Sequence, residues 1–347
     1  MLFIYNKKRS GRCLLFLAFS LMYFLSAKAQ DIHFSQFWNA PTYINPALTG
    51  VFDGNLRMIS NYRNQWKSVT PNSYETMAIY VDGTPFAENI KSGFLGTGVG
   101  IYNDRAGDGK LGTTQFNATF SYTHYLAENQ SLGAGMQIGY AQRSVDYSGL
   151  TWDNQWDGSS YNSALGSGET GYSPNFSYLD VSAGLLWYFY PNEKFNLKLG
   201  ASMYHVNSPN QSFYSNASDK LYQRMVMHLG MDFAITPDKL YVLPRAIYMR
   251  QGPSYEMLLG SFVSYIIATN DNMPTINGGL WYRNQDAIVL AAEVWYGNFR
   301  LGLSYDINVS GLSVASQSQG GPEISLTSTF PLPGRVKYKK IPCPVNF

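Results

Sequence analysis

The sequence predicts an all-β fold: a transmembrane antiparallel up-and-down β-barrel of about 14 strands, flanked by an N-terminal segment and a short C-terminal tail. Three observations predict it. The 347 residues are 16% aromatic but only 14% charged, where soluble chains carry about 25% charged residues. A two-residue rhythm of apolar and polar positions runs from about Asn55 to Phe330. The connections between the rhythmic segments are short and long by turns, as they are at the two ends of a membrane barrel.

The N-terminus reads as an export leader and is set aside from the fold. Lys7, Lys8, Arg9 and Arg12 form a basic start, Cys13 to Leu25 is an uncharged apolar run, and Ala27-Lys28-Ala29 places small residues where a signal peptidase reads. The run is shorter than the roughly 20 residues that span a bilayer as a helix, so residues 1–29 are expected to be cleaved and the mature chain to begin at Gln30. These residues hold five basic side chains and no acid, so without them the formal charge of +2 becomes −3. Nothing in that balance argues for nucleic acid. Cys13 leaves with the leader, and Cys343 then stands alone without an intramolecular disulfide partner.

The rhythm divides into fourteen expected strands: 55–66, 74–83, 94–104, 113–125, 131–146, 178–190, 195–206, 222–235, 239–250, 256–267, 276–283, 286–296, 298–307 and 321–330. Period two sends alternate residues to opposite faces of a strand. Phe120 and Tyr122 thus oppose Thr119 and Ser121, Leu132 to Tyr140 oppose Gly133 to Gly139, and Leu303 and Tyr305 oppose Ser304 and Asp306. The inner set on these strands is polar or glycine, and a polar, glycine-rich lumen is the expectation for the whole barrel. An even strand number puts both ends of the barrel on one side. With the first strand rising from the periplasm, the long connection 147–177 and those at 104–112, 207–221 and 308–320 lie outside the cell. The turns at 128–130, 191–194, 236–238 and Gly297 lie inside, together with two longer connections, 84–93 and 268–275. Residues 30–54 hold Pro41 and Pro46, which break regular structure, and form a candidate plug in which Asn45 and Trp38 would meet lumen-facing residues. Residues 331–347 form a basic periplasmic tail, where Arg335, Lys337, Lys339 and Lys340 could meet an acidic partner or simply be solvated.

Chemistry is sparse. Alternation turns Arg57, Arg63, Lys198, Asp232, Arg245, Glu293, Arg300 and Asp306 toward the lumen, as a selectivity lining or as a mutually paired network filling it. The four histidines, His33, His124, His205 and His228, are scattered, and no Gly-x-Ser-x-Gly elbow is present; no enzyme is expected. Asp153, Asn154, Asp157 and Glu169, or Asn103, Asp104 and Asp108, could gather oxygen ligands, but neither set has the spacing of a calcium loop. No cofactor is expected.

The opening of the mature chain resembles a specific family. His33-Phe34-Ser35-Gln36-Phe37, then Tyr43-Ile44-Asn45-Pro46-Ala47 and Gly50, then Arg57 and Asn61-Tyr62-Arg63-Asn64-Gln65-Trp66 look like the start of the PorP/SprF proteins. Cys343-Pro344 and Phe347 look like their ending. The resemblance implies an outer-membrane barrel serving type IX secretion and gliding motility in Bacteroidetes. It would support export or surface anchoring of large cargo such as adhesins, with periplasmic and outer-membrane parts of the secretion machine as partners and lipid around it. The alternative is a porin or transporter for small solutes.

Overall fold

The computed structural model describes residues 31–331, apart from 68, 86–89, 171, 215–217, 270–272 and 312. The expected leader 1–29 and the tail residues Arg335, Lys337, Lys339 and Lys340, with Cys343, lie outside the described residues. Within them, fourteen strands close into one barrel, each paired with its sequence neighbours and β14 with β1. They are β1 (Leu56–Gln65), β2 (Tyr74–Gly83), β3 (Gly93–Ala106), β4 (Leu111–Ala127), β5 (Gln130–Ser144), β6 (Asn175–Asn192) and β7 (Phe195–Tyr204). The circuit continues with β8 (Arg224–Thr236), β9 (Leu240–Gln251), β10 (Ser254–Ile266), β11 (Thr275–Arg283), β12 (Ala287–Tyr296), β13 (Phe299–Asn308) and β14 (Gln319–Phe330). Closure is antiparallel, from Leu56 opposite Phe330 to Arg63 opposite Glu323. A closed cylinder has no edge, so every strand finds backbone partners on both sides, as a hydrocarbon surrounding demands.

The outward positions carry the lipid-facing band. Val99, Leu185, Leu280 and Val263 are 62%, 58%, 56% and 52% exposed, far more contiguous apolar surface than a soluble monomer leaves in water. Tyr255, Tyr296 and Phe299 lie outward near strand ends, where amphipathic rings suit the membrane boundary. No described helix is long and apolar enough to cross a membrane; the crossing is made by strands.

Both strand termini, Leu56 and Phe330, lie at one end with the turns at 193–194, 237–239 and Gly297-Asn298. Gly297 has φ +57° there, a conformation that glycine takes at no steric cost. The other end is uneven. Gly252-Pro253 closes β9 to β10 in two residues, whereas 145–174 and 205–223 rise over β5 to β8.

The interior corrects one expectation. Polar and glycine positions do line β1, β4, β5, β13 and β14, but the opposite wall is apolar. Val226, Leu243, Ile247, Leu258, Phe262, Trp281 and Val289 all point inward and are buried. Such side chains would be costly beside water; they are covered by the chain's own residues.

Candidate functional site: a chain segment seated in the lumen

Residues 32–53 run through the inside of the barrel. Prolines set their local form: Pro41 opens a four-residue helix (Pro41–Ile44) and Pro46 a 3-10 turn (Pro46–Leu48). Proline suits a first helical position because its missing N–H would be unpaired there anyway. Asn45 caps the second turn, accepting the Ala47 N–H at 2.9 Å. Gly50, at φ +75°, then turns the chain toward β1. A Cβ on Gly50 would stand 2.9 Å from the Gly96 Cα, so only glycine fits there.

The barrel grips this segment in three sectors. On β1, β11, β13 and β14, Glu323 accepts the Ser35 and Gln36 N–H groups at 2.8 and 3.0 Å. Asp306 accepts the Ser35 hydroxyl at 2.8 Å and pairs with Arg63 at 3.1 Å and Arg283 at 2.9 Å. Arg63 also donates to the His33 carbonyl at 2.6 Å, and Arg283 to the Ser35 Oγ at 2.5 Å. On the apolar wall, Trp38 stacks on Trp281 with centroids 4.3 Å apart, meets Phe262 edge-on, and donates its indole N–H to Glu293 at 2.7 Å. Such an aromatic pair adds about 0.5–1.5 kcal/mol beyond its area burial.

The third sector holds the Asn45-Pro46-Ala47 corner. The Tyr204 hydroxyl donates to the Thr42 carbonyl at 2.6 Å, Ser202 to Ile44 at 2.5 Å, and Ser121 to Thr49 at 2.7 Å. Asn45 Nδ2 donates to the Leu185 carbonyl at 2.8 Å and lies 3.0 Å from the His228 Nε2. The corner fits because the wall lacks side chains there. A Cβ on Gly135 would stand 2.4 Å from the Ala47 nitrogen, and one on Gly184 2.0 Å from the Asn45 Oδ1. Arg57 and Asp82 close the sector with a fork-like pair at 2.9 and 2.8 Å, and Asp82 accepts the Gly50 N–H at 2.6 Å.

The residues named from the motif therefore divide. Phe34, Ser35, Gln36, Asn45, Pro46, Ala47 and Gly50 belong to the segment, and Arg57 and Arg63 hold it from β1. Tyr62 points outward, 40% exposed, on the face away from the lumen. Gln65 ends β1, and Trp66 follows it, with its N–H on the Gly320 carbonyl and its ring edge-on to Tyr74. Of the other inward charges, Asp232 pairs with Arg245 at 2.6 Å, Lys198 lies over the Tyr188 ring, and Arg300 over Trp295. Asp82, Arg224, Arg283 and Glu256 also face the lumen and were not among the expected charges; they stand in phase with the inward Tyr80, His228, Trp281 and Leu258, so counting by two along each strand finds them.

The histidines do not converge. His205 bonds Asp180 at 2.8 Å, His228 faces Asn45, His33 lies 3.6 Å from Glu256, and His124 is exposed beside Tyr122. The candidate calcium residues are engaged separately. Asp104 accepts from Thr76, Asp108 from Asn72, and Glu169 from Tyr214, while Asn154 donates to the Ser167 carbonyl. Among the described residues no cluster of three metal-ligating side chains forms.

Asp157 accepts the Ser159 and Ser160 N–H groups, which hold its carboxyl down at about 2. A depressed folded value means that this turn's contribution is complete above the ordinary carboxylate range and is lost only as pH falls through about 2. Slow amide exchange at Ser159 and Ser160 should therefore persist at about pH 4, and Asp157→Ala, which removes the acceptor, should abolish it. Equal exchange in the variant would show the turn to be held by something else.

Residues 26–327 match the family described as "Type IX secretion system membrane protein PorP/SprF". No curated protein matches the chain. Among solved structures, it is similar to a FadL homologue of Pseudomonas aeruginosa at 10% identity, with 82% of this chain and 92% of that one covered and a TM-score of 0.49. The toluene transporter TodX of Pseudomonas putida matches at 8% identity, with 83% and 93% covered and a TM-score of 0.47. The monoaromatic hydrocarbon channel CymD gives 11% identity, 84% and 92% covered, and a TM-score of 0.48. With a closed fourteen-strand barrel, an apolar outer band and a family match over nearly its whole length, this outer-membrane protein belongs to the PorP/SprF family of type IX secretion system membrane proteins.

Proposed function

We propose that this barrel serves type IX secretion as a sealed, non-enzymatic attachment component. It holds exported cargo such as a large adhesin at the cell surface and contacts periplasmic parts of the machine. The observation that carries this reading is the filling of the lumen. Residues 32–53 are bound to strands around the whole circuit, which favours work at the two ends over passage of solutes through the middle. The segment then acts as a permanent plug and a rigid internal core. In this reading residues 1–29 are the cleaved leader, the end holding Leu56 and Phe330 faces the periplasm, and the loops 145–174 and 205–223 face outward. The tail 331–347 presents Arg335, Lys337, Lys339 and Lys340 to an acidic periplasmic partner.

Cross-linking in cells, followed by affinity isolation of the tagged full-length protein and mass spectrometry, tests it. A very large secreted adhesin or periplasmic secretion-ring proteins should co-purify. Replacing the four basic tail residues by alanine should remove the periplasmic partners and spare the surface cargo. A clean barrel after cross-linking would overturn the reading and return the solute porin as the better account.

A further inference from the structure

The tall side of the loop end carries a cleft that the lumen does not use. Its base is firm, because the connections 145–174 and 205–223 are tied together. Tyr172 bridges Tyr214, the Ser173 N–H donates to the Phe213 carbonyl at 2.8 Å, and Phe176 meets Phe213 edge-on. Above this base, residues 155–162 form a miniature hairpin. The Asp157 N–H donates to the Ser160 carbonyl at 3.0 Å, and the Asn162 N–H to the Gln155 carbonyl at 2.7 Å. Trp156 and Tyr161 are the antiparallel pair across it. Residues directly opposite in such a pair project to the same face, so the two aromatic side chains share one face of the hairpin. They are 59% and 48% exposed. With Thr151, Trp152 and Asp153 they line a cleft of about 570 Å³, within the roughly 300–1,000 Å³ typical of small-molecule sites.

The cleft is preformed. Gln155 is buried beneath it, accepting the Trp152 N–H at 3.0 Å and donating to the Leu165 carbonyl at 3.2 Å. Trp152 is backed by Tyr147, near-parallel at 6.0 Å. Exposed aromatic rings on a rigid base bind with little ordering cost.

The chemistry of the lining selects a ligand class. Three aromatic rings offer flat apolar surface, Asp153 a carboxylate and Thr151 a hydroxyl, and among the described residues no cationic side chain lines the cleft. An anionic ligand would meet Asp153 without compensation. A purely aliphatic ligand would strip water from Asp153 and Thr151 and return no hydrogen bond. A pyranose ring satisfies both requirements. Its C–H face lies on an indole, and its rim of hydroxyls donates to a carboxylate, a charge-assisted bond stronger than a neutral one. We infer that this cleft binds the end of a neutral oligosaccharide, with Trp156 and Tyr161 as the stacking surface and Asp153 as the hydroxyl acceptor. The inference does not depend on the secretion role.

The test titrates the full-length barrel in detergent micelles with chitotriose, laminaritriose, delipidated surface polysaccharide from the producing cells, and a trilysine peptide. Binding is read by tryptophan fluorescence and calorimetry. At least one saccharide should bind with Kd of about 1 mM or tighter. Trp156→Ala and Tyr161→Ala should each weaken it about tenfold or more, and Asp153→Asn should weaken it less. Heat-modifiable gel migration establishes that each variant is folded. Binding of the cell's own polysaccharide alone would assign the site to the surface glycan; binding of chitotriose or laminaritriose alone would assign it to an external one. Three results overturn the inference: no saccharide binding to folded protein at about 10 mM, binding untouched by Trp156→Ala and Tyr161→Ala, or binding of trilysine alone.

Discussion

Gly135→Leu should dislodge the Asn45-Pro46-Ala47 corner and open a conducting path through the barrel. A Cβ at position 135 would stand 2.4 Å from the Ala47 nitrogen and 2.5 Å from the Pro46 carbonyl carbon, both backbone atoms. A clash with backbone cannot be relieved by a rotamer change, unlike one with the end of a side chain. Either the β5 wall or the inner segment must move. The wall is held by full ladders to β4 and β6, so the segment is the element that yields. Once the corner lifts, Asn45 loses its bond to the Leu185 carbonyl, and Ser202 and Ser121 lose their acceptors on Ile44 and Thr49. Each lost bond costs about 0.5–1.5 kcal/mol, so the effect is cumulative. In planar bilayers the parent protein should give no stable open steps, while the variant should conduct, and added protease should cut within residues 32–53 only in the variant. Gly278→Leu is the control, because a Cβ at that position meets nothing within 4 Å. If Gly135→Leu stays closed and protease-resistant while folded, the segment is not what seals the lumen.

The barrel was legible in the sequence because lipid and lumen impose opposite demands on alternate residues. Along β4 and β5 those demands are met cleanly, with Phe120, Met136 and Tyr140 outward and Thr119, Gln137 and Gly139 inward. All fourteen strands fall within three residues of their expected bounds. The inner wall of β9 to β12 was not legible. Leu240-Tyr241-Val242-Leu243 is apolar on both faces, so its alternation carries no sign of which side meets lipid. An inward Leu243 or Trp281 makes sense only once Phe37 and Trp38 are known to lie against that wall, a contact more than two hundred residues distant in sequence. The inner segment itself gave a weaker signal. Its prolines and asparagines marked turns, but the seat that receives it is written in glycines of β3, β5, β6 and β7, which read locally as ordinary lumen positions. The aromatic cleft was missed for a simpler reason: residues 151–161 lie in a long connection whose hairpin is made by Trp156 pairing Tyr161, outside any periodic pattern.

Asp306→Ala should be the most destabilising single substitution in the lumen. This carboxylate is 2% exposed and is shared by Arg63 at 3.1 Å and Arg283 at 2.9 Å, themselves buried, and by the Ser35 hydroxyl at 2.8 Å. Removing one partner of a buried ion pair typically costs about 3–5 kcal/mol, mainly because the opposite charge is left without compensation; here two guanidiniums share the loss. Asp286 at 3.1 Å and Glu256 at 3.6 Å remain beside Arg283, while Arg63 keeps the His33 carbonyl and faces Glu323 across the β1–β14 pair. The expected result is a loss of about 3–5 kcal/mol in urea unfolding of the barrel in lipid vesicles, with protease sensitivity near Ser35 appearing before global unfolding. A second substitution separates charge from packing. Arg63→Met in the Asp306→Ala background removes the more isolated cation, keeps most of its volume, and should restore part of the lost stability. Were the double variant less stable than Asp306→Ala alone, the cost would lie in packing around Arg63 rather than in its unpaired charge, and the node would be a steric wedge instead of an electrostatic clamp on the inner segment.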